Sequence, residues 1–198
     1  MNTALTDRLN RILERVTDPA FLSSQGIGSE IACYIFDYPA EEELRVREHI
    51  QMMMNRLSTH HSQLQVSELN LFEVALAYLE KRGLLKRALE MQQSKGETAM
   101  LKALKGPMSA ERIRDFIASE YQPADLDLLI LSGVGSLWPM LRIHGLLNCL
   151  HTIMGQTPVV IFYPGIFDGT TLRLFGQLEA GSSQPGQKPY YRAFTLVS

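Results

Sequence analysis

The sequence predicts an α/β fold: a mainly parallel sheet flanked by helices, with a C-terminal antiparallel hairpin at its edge. Residues 127–169 carry most of the argument. Two short apolar runs, residues 128–131 (LLIL) and 159–162 (VVIF), stand either side of a long apolar helical pattern over residues 137–154. Apolar runs without alternation belong to strands buried on both faces, and two of them around a helix describe a βαβ unit. The rest of the chain continues the alternation as helix, strand, helix, strand, helices, strand, helix, strand, hairpin, the order of a parallel sheet with crossover helices. A length of 198 residues fits one domain spanning residues 1–198.

Composition narrows the classes. The chain is 45% hydrophobic and 20% charged, ordinary for a globular protein, and its formal charge of -2 argues against a general nucleic-acid coat. Cys33 and Cys149 both lie in apolar stretches and read as small buried hydrophobes in a reducing compartment. Arg142, His144, Asn148 and His151 break the longest apolar run, so none reaches the ~18 residues of a membrane helix. The opening MNTALTDRLNR has no apolar signal core. These features predict a cytoplasmic protein with no membrane partner.

In chain order, Leu5, Leu9, Ile12, Leu13 and Val16 make one face of a first helix with Thr3 as cap, ended by Asp18-Pro19. Residues 21–30, with Gly26 and Gly28, read as a loop. Residues 31–36 (IACYIF) read as the first strand. Tyr38-Pro39 opens a helix with Glu41, Glu42 and Glu43 at its positive end and Val46, Ile50, Met53 and Leu57 as its buried face. Residues 64–71 (LQVSELNL) alternate as a strand. Phe72, Ala75, Leu76 and Leu79 then share a helical face that closes at Lys81-Arg82-Gly83. Residues 84–91 and 98–104 suggest two short helices, and Ser109 caps another with Ile113, Phe116 and Ile117 on its apolar side. From Glu80 to Lys105 seven Lys or Arg stand against three Glu; this suits a solvated helical face first, and a phosphate-binding surface second. Toward the C-terminus, residues 171–178 and 190–197 read as an antiparallel pair joined by the Gly/Pro-rich loop EAGSSQPGQKP.

Candidate chemistry centres on Ser132-Gly133-Val134-Gly135-Ser136, where a parallel strand enters a helix. Backbone N–H groups at such turns can hold phosphate. The motif lacks the marks of a nucleotide site: position 138, where a dinucleotide fingerprint has glycine, is Trp138, and no lysine occurs between Lys105 and Lys188 for a P-loop. The plainer reading is a tight turn with Ser136 as cap and Pro139 in the first helical turn. No Gly-x-Ser-x-Gly elbow activates Ser132 or Ser136. His144 and His151 lie two turns apart, about 10 Å of rise, too far to share a metal. Asp125, Asp127 and Asp168 fall near strand ends, where acids usually form turns. The residues name no catalytic group, metal or cofactor; Gly133, Gly135, Ser136 and Asp168 are the cofactor-binding candidates.

Several blocks resemble one family. They are residues 26–47 (GIGSEIACYIFDYPAEEELRVR), the Ser132–Ser136 turn with its Trp138-Pro139, Phe162-Tyr163-Pro164-Gly165 followed by Leu172-Arg173-Leu174-Phe175-Gly176, and Tyr191-Arg192-Ala193-Phe194. In order and spacing they are similar to the BrxB family of bacterial BREX phage-defence systems, a domain of unknown function, and the likeness runs from Leu5 to Val197. The resemblance implies a small cytoplasmic subunit of an assembly that includes a DNA methyltransferase, an ATPase and the phosphatase-fold protein PglZ, with which the family associates. It carries no catalytic residues onto this chain. The expectation is a non-catalytic interaction and assembly subunit that binds PglZ, with an indirect DNA association; a further reading is a nucleic-acid contact through the basic Lys81–Lys105 segment as part of a larger complex. The alternative is a nucleotide-binding or phosphoryl-handling enzyme using the Ser132–Ser136 turn with Asp168.

A docking surface is expected beyond the carboxyl ends of the strands, where a parallel sheet forms its crevice. Trp138, Tyr163, Ile166 and Phe167 are an unusual density of large apolar side chains for turns and are the partner-binding candidates. The competing expectation is that they cap the core.

Overall fold

Helix α1 (Thr3–Thr17) buries Leu5, Leu9, Ile12 and Val16 of the face its spacing predicts and half-buries Leu13, while Thr3, expected as its cap, is its first helical residue. The computed structural model describes residues 3–23, 32–176, 178–179 and 192–197. Asp18 does not simply end the chain's helical start. Its side chain accepts the Ala20 N–H at 2.8 Å and caps a one-turn helix α2 (Pro19–Leu22), so Phe21, expected in a loop, is helical and buried. Gly26 and Gly28 lie outside the described residues.

Strand β1 (Ala32–Tyr38) leads through a 3-10 turn (Ala40–Glu42) into α3 (Glu43–His60), whose buried residues are Val46, Ile50, Met53 and Leu57 as expected. Strand β2 is shorter than its alternation suggests, Val66–Asn70, because Asn70 caps helix α4 (Leu71–Lys81) and draws Leu71 into it. With the start fixed there, α4 buries Leu71, Val74, Ala75, Tyr78 and Leu79, leaving Phe72 and Leu76 half-buried. Gly83, at φ 65°, closes the helix while the Leu84 N–H reaches back to the Leu79 carbonyl. Helices α5 (Leu85–Lys95), α6 (Glu97–Leu104) and α7 (Ala110–Tyr121) follow.

After strand β3 (Leu128–Ser132) the expected single helix over residues 137–154 is two. A short α8 (Val134–Leu137) stops where Trp138 turns extended before Pro139, across a cis peptide bond, and α9 (Ile143–Met154) starts afresh from Arg142. The apolar pattern runs through the break, but a residue preceding proline is pushed out of helical conformation. Pro139 therefore lies between helices rather than within the first turn of one.

Strand β4 (Val159–Phe167) also outruns its expected end at Tyr163-Pro164-Gly165. Its first part pairs in parallel with β1 and β3; past Pro164 it changes partner and runs antiparallel to β5 (Leu172–Leu174), which pairs with β6 (Leu178–Glu179). Gly165 permits the change: a Cβ there would overlap the Arg173 carbonyl oxygen and stand 2.8 Å from the Tyr163 ring. Strand β7 (Arg192–Thr195) corrects the C-terminal expectation. It does not pair with residues 171–178; it lies parallel to β1 at the other edge, giving the order β2-β3-β4-β1-β7. The antiparallel element is thus the β4–β5–β6 ribbon. Of the polar loop between, only Glu179 is described.

Period-two alternation splits the strands between two cores. Cys33, Ile35, Leu69, Leu129, Leu131, Val159 and Ile161 face α4, α7 and α9, whereas Tyr34, Phe36, Leu128, Ile130, Val160 and Phe162 face α1 and α3. Each fully buried Leu, Ile or Phe contributes about 1.5–3 kcal/mol. Cys33 belongs here: burial pushes its thiol up to about 12, so it is an inert hydrophobe.

Candidate interaction site at the carboxyl ends of the strands

Because β1, β2, β3, β4 and β7 are parallel, their carboxyl ends gather on one edge. Three sets of side chains build that edge. In the first, the Asn70 side-chain oxygen accepts the Phe72 N–H at 3.1 Å and the Glu73 N–H at 3.4 Å, and Gly133 passes directly over it. Gly133 has φ 69°, and a Cβ there would lie 2.9 Å from Asn70 Cγ. Beside it the buried Ser132 hydroxyl donates to Glu68 Oε1 at 2.5 Å.

In the second, Tyr38 donates its hydroxyl to Glu43 Oε2 at 2.6 Å, Arg47 Nε donates to Glu43 Oε1 at 2.8 Å, and Arg47 Nη2 reaches Ser136 Oγ at 3.0 Å. The chain of bonds ties β1 and α3 to α8. Ser136 is therefore not a helix cap; it lies within α8, whose N-cap is Gly133 and makes no side-chain cap. Tyr38's phenol is pushed well above its ordinary range by burial, then by the carboxylate beside it.

The third set hangs on Asp37. Arg8 Nη2 donates to Asp37 Oδ1 at 2.7 Å, Nη1 to the Asp37 carbonyl at 2.9 Å and Nε to the Val197 carbonyl at 3.1 Å. Asp37 Oδ2 accepts the Phe167 N–H at 3.1 Å, so one carboxylate joins α1, β1 and the ribbon. Nothing in the sequence patterning marks this pair beyond Asp37 being the one polar member of an apolar strand.

The candidates sort as follows. Tyr163 is core: it is fully buried, burial raises its phenol, and its hydroxyl has no hydrogen-bond partner. Phe167 and Trp138 are half-buried against the same core. The Arg142 guanidinium lies 5.5 Å from the Trp138 ring. Ile166 stands out at 43% exposure. Phe175, which the sequence reading missed as an apolar contact, is 42% exposed and holds φ 56°, a conformation non-glycine residues rarely adopt. Its ring and Pro164 form the wall that Gly135 fits, at 3.1 and 3.0 Å from where a Cβ would stand. Ile166 lies instead against Gly176, the residue after Phe175, 3.5 Å from where a Cβ there would stand.

The glycines of the turn are thus accounted for by packing. Asp168 is a turn former: it accepts the N–H groups of Thr170 and Thr171 at 3.0 and 2.8 Å and both their hydroxyls, which hold its carboxyl well below the usual range. Asp125 and Asp127 precede β3, at the opposite edge from Asp168, and Asp127 accepts the Gln65 N–H at 2.8 Å. Among the described residues no group of three or more His, Cys, Asp or Glu could hold a metal, and no helix is long and apolar enough to cross a membrane.

Fold and edge together define a three-layer α/β protein with an antiparallel ribbon raised beyond the carboxyl ends of its parallel strands. Comparison with known proteins makes this specific. The family model described as BREX protein BrxB matches residues 67–196. A BREX protein BrxB of Escherichia coli O9:H4 (strain HS) is 37% identical over 197 residues, covering 100% of this chain and 94% of the relative. Another of Bacillus cereus (strain H3081.97) is 39% identical over 197 residues, covering 98% and 97%. The chain belongs to the BrxB family. No solved structure matches it significantly.

Proposed function

We propose that this chain is a non-catalytic assembly subunit of a BREX anti-phage system and that it docks PglZ, the phosphatase-fold member of the assembly, on the ribbon at the carboxyl ends of its strands. The observation that carries the reading is that the ribbon leaves both Ile166 and Phe175 exposed, with Ile166 lying against Gly176, the residue after Phe175, and with Trp138 and Phe167 half-buried against the core below. Large apolar side chains left in water on a rigid backbone are what an interface core uses, and a few of them dominate its energetics. The ribbon is held rigidly from below by Asp37 and by the Pro164–Phe175 contact.

The test is co-purification of PglZ with two variants, each melted alongside. Ile166→Asp removes an exposed anchor and leaves the melting temperature within a few degrees, while PglZ affinity falls by roughly 30-fold or more, about 2 kcal/mol. Phe167→Ala, half in the core, lowers both affinity and stability. Full binding of PglZ by Ile166→Asp would sink the proposed docking face.

A further inference from the structure

Helices α5 and α6 raise a question the fold does not answer. Over 19 residues they bury only Ala88 and Leu104, and α5 leans on α6 and on the end of α4. Lys86 is 89% exposed by side chain and Leu89 50% exposed. Helices this short gain little stability from propensity alone. Their surface, unlike their packing, is distinctive. Residues 80–105 carry seven Lys or Arg against three Glu, a charge of +4, so with -2 for the whole chain the remainder carries -6. Charge so divided points to a polyanionic partner for the basic part.

The arrangement strengthens the point. Lys81 is paired with Glu120 at 2.6 Å and Lys86 only loosely with Glu90 at 3.9 Å. Among the described residues Arg82, Arg87, Lys95, Lys102, Lys105 and Arg112 make no ion pair. Arg82 and Arg112 line a groove of about 550 Å³ between α4 and α7, and Arg82 ends α4 just before α5 begins at Leu85. The single acid lining it, Asp115, is already held by Arg114 at 2.6 Å.

We propose that this groove and the α5–α6 pair form a contact for the phosphate backbone of duplex DNA. The aromatic residues beneath, Tyr78 and Phe116, are buried at 5% and 9% exposure and stack edge-on with each other, so no ring is offered to an unpaired base. That favours a duplex over a single strand. A pair of projecting helices favours B-form DNA over duplex RNA, because a helix about 10–12 Å across fits the open major groove of one and not the deep, narrow groove of the other. The contact is sequence-independent because it is made to phosphates, which position a protein on a duplex and carry no sequence information. It lies on the helical layer formed by α4, α7 and α9, and it holds or fails independently of the ribbon's role.

The test is an anisotropy titration of a labelled DNA duplex of about 30 base pairs with the full chain, between about 50 and 200 mM salt. Binding in the range of about 1–100 µM is expected, weakening steeply as salt rises. Arg82→Glu weakens it about tenfold and Arg82→Gln lowers the salt slope by about one. Arg56→Glu makes the same charge change on α3, across the sheet, and alters affinity less than about twofold. All three substitutions are of exposed side chains, and circular dichroism melts confirm folding. Absence of duplex binding at the lowest salt overturns the proposal, as does equal weakening by Arg56→Glu. So does a duplex RNA that binds as tightly, or a basic-surface variant that loses a protein partner while keeping DNA affinity.

Discussion

Gly133 holds its place through one neighbour, the side chain of Asn70, which is itself occupied in capping α4. Gly133→Ala adds a Cβ that collides with the Asn70 amide and places a non-glycine residue at φ 69°, so a loss of roughly 2–4 kcal/mol is expected. Asn70→Ala alone costs about 1 kcal/mol for the lost cap. In the double variant the collision is gone, and the two costs sum to less than their separate values; strict additivity in urea melts would contradict the contact. The turn was legible as a turn, since glycines between a strand and a helix demand unusual backbone. Its reason was not, because Asn70 comes from a different strand and only the pairing of β2 with β3 brings it there. Phe175 was illegible for a related cause: its left-handed conformation and its exposure depend on β4 changing partners at Gly165.

At the scale of elements, α3 was readable because one helix packs one face on the sheet, and Val46, Ile50, Met53 and Leu57 recur at the helical period. The break between α8 and α9 was not, since the core accepts apolar residues from both segments and the pattern passes over Pro139 unbroken. Strand β7 was placed with the wrong neighbour because hydrophobic alternation says that a strand has a buried face, not which strand it meets. What fixes α1 against the sheet is equally non-local. Arg8 makes three hydrogen bonds, to Asp37 twice and to Val197, with the Arg8 and Asp37 side chains 22% and 21% exposed. Asp37→Ala leaves the guanidinium without its counter-charge and the Phe167 N–H without its acceptor, and a loss of roughly 2–4 kcal/mol follows. Hydrogen exchange should then rise in α1 and in the β4–β5 pairing before it rises in α9. Uniform acceleration across all helices would show that the pair does not fasten α1 locally.

For the molecule as a whole, stability should have a plateau with two identifiable limits. Burial lowers the pKa of His49, with Arg56 adding to the effect, and burial lowers that of His144. His49 Nε2 has no hydrogen-bond partner to receive a second proton's charge. Both histidines ordinarily titrate near 6.5. Below that pH the unfolded chain takes up protons that the folded chain resists, so stability falls as pH falls. On the alkaline side, burial raises Cys33 from 9.0 to about 12 and Cys149 from 9.0 to about 11, and the phenols of Tyr38 and Tyr163 rise as well. Their contribution is complete below about 9 and declines as pH climbs toward the folded-state values. Melting curves should therefore be flat between about pH 6.5 and 9 and drop by several degrees by about pH 5, each histidine adding at most about 1.4 kcal/mol per pH unit. His49→Gln with His144→Gln removes the two histidines whose pKa burial lowers, so the acid limb of the double variant should flatten down to about pH 5. An unchanged acid limb would mean that these histidines are hydrated in solution and that the helix layers around them are looser than the packed cores described.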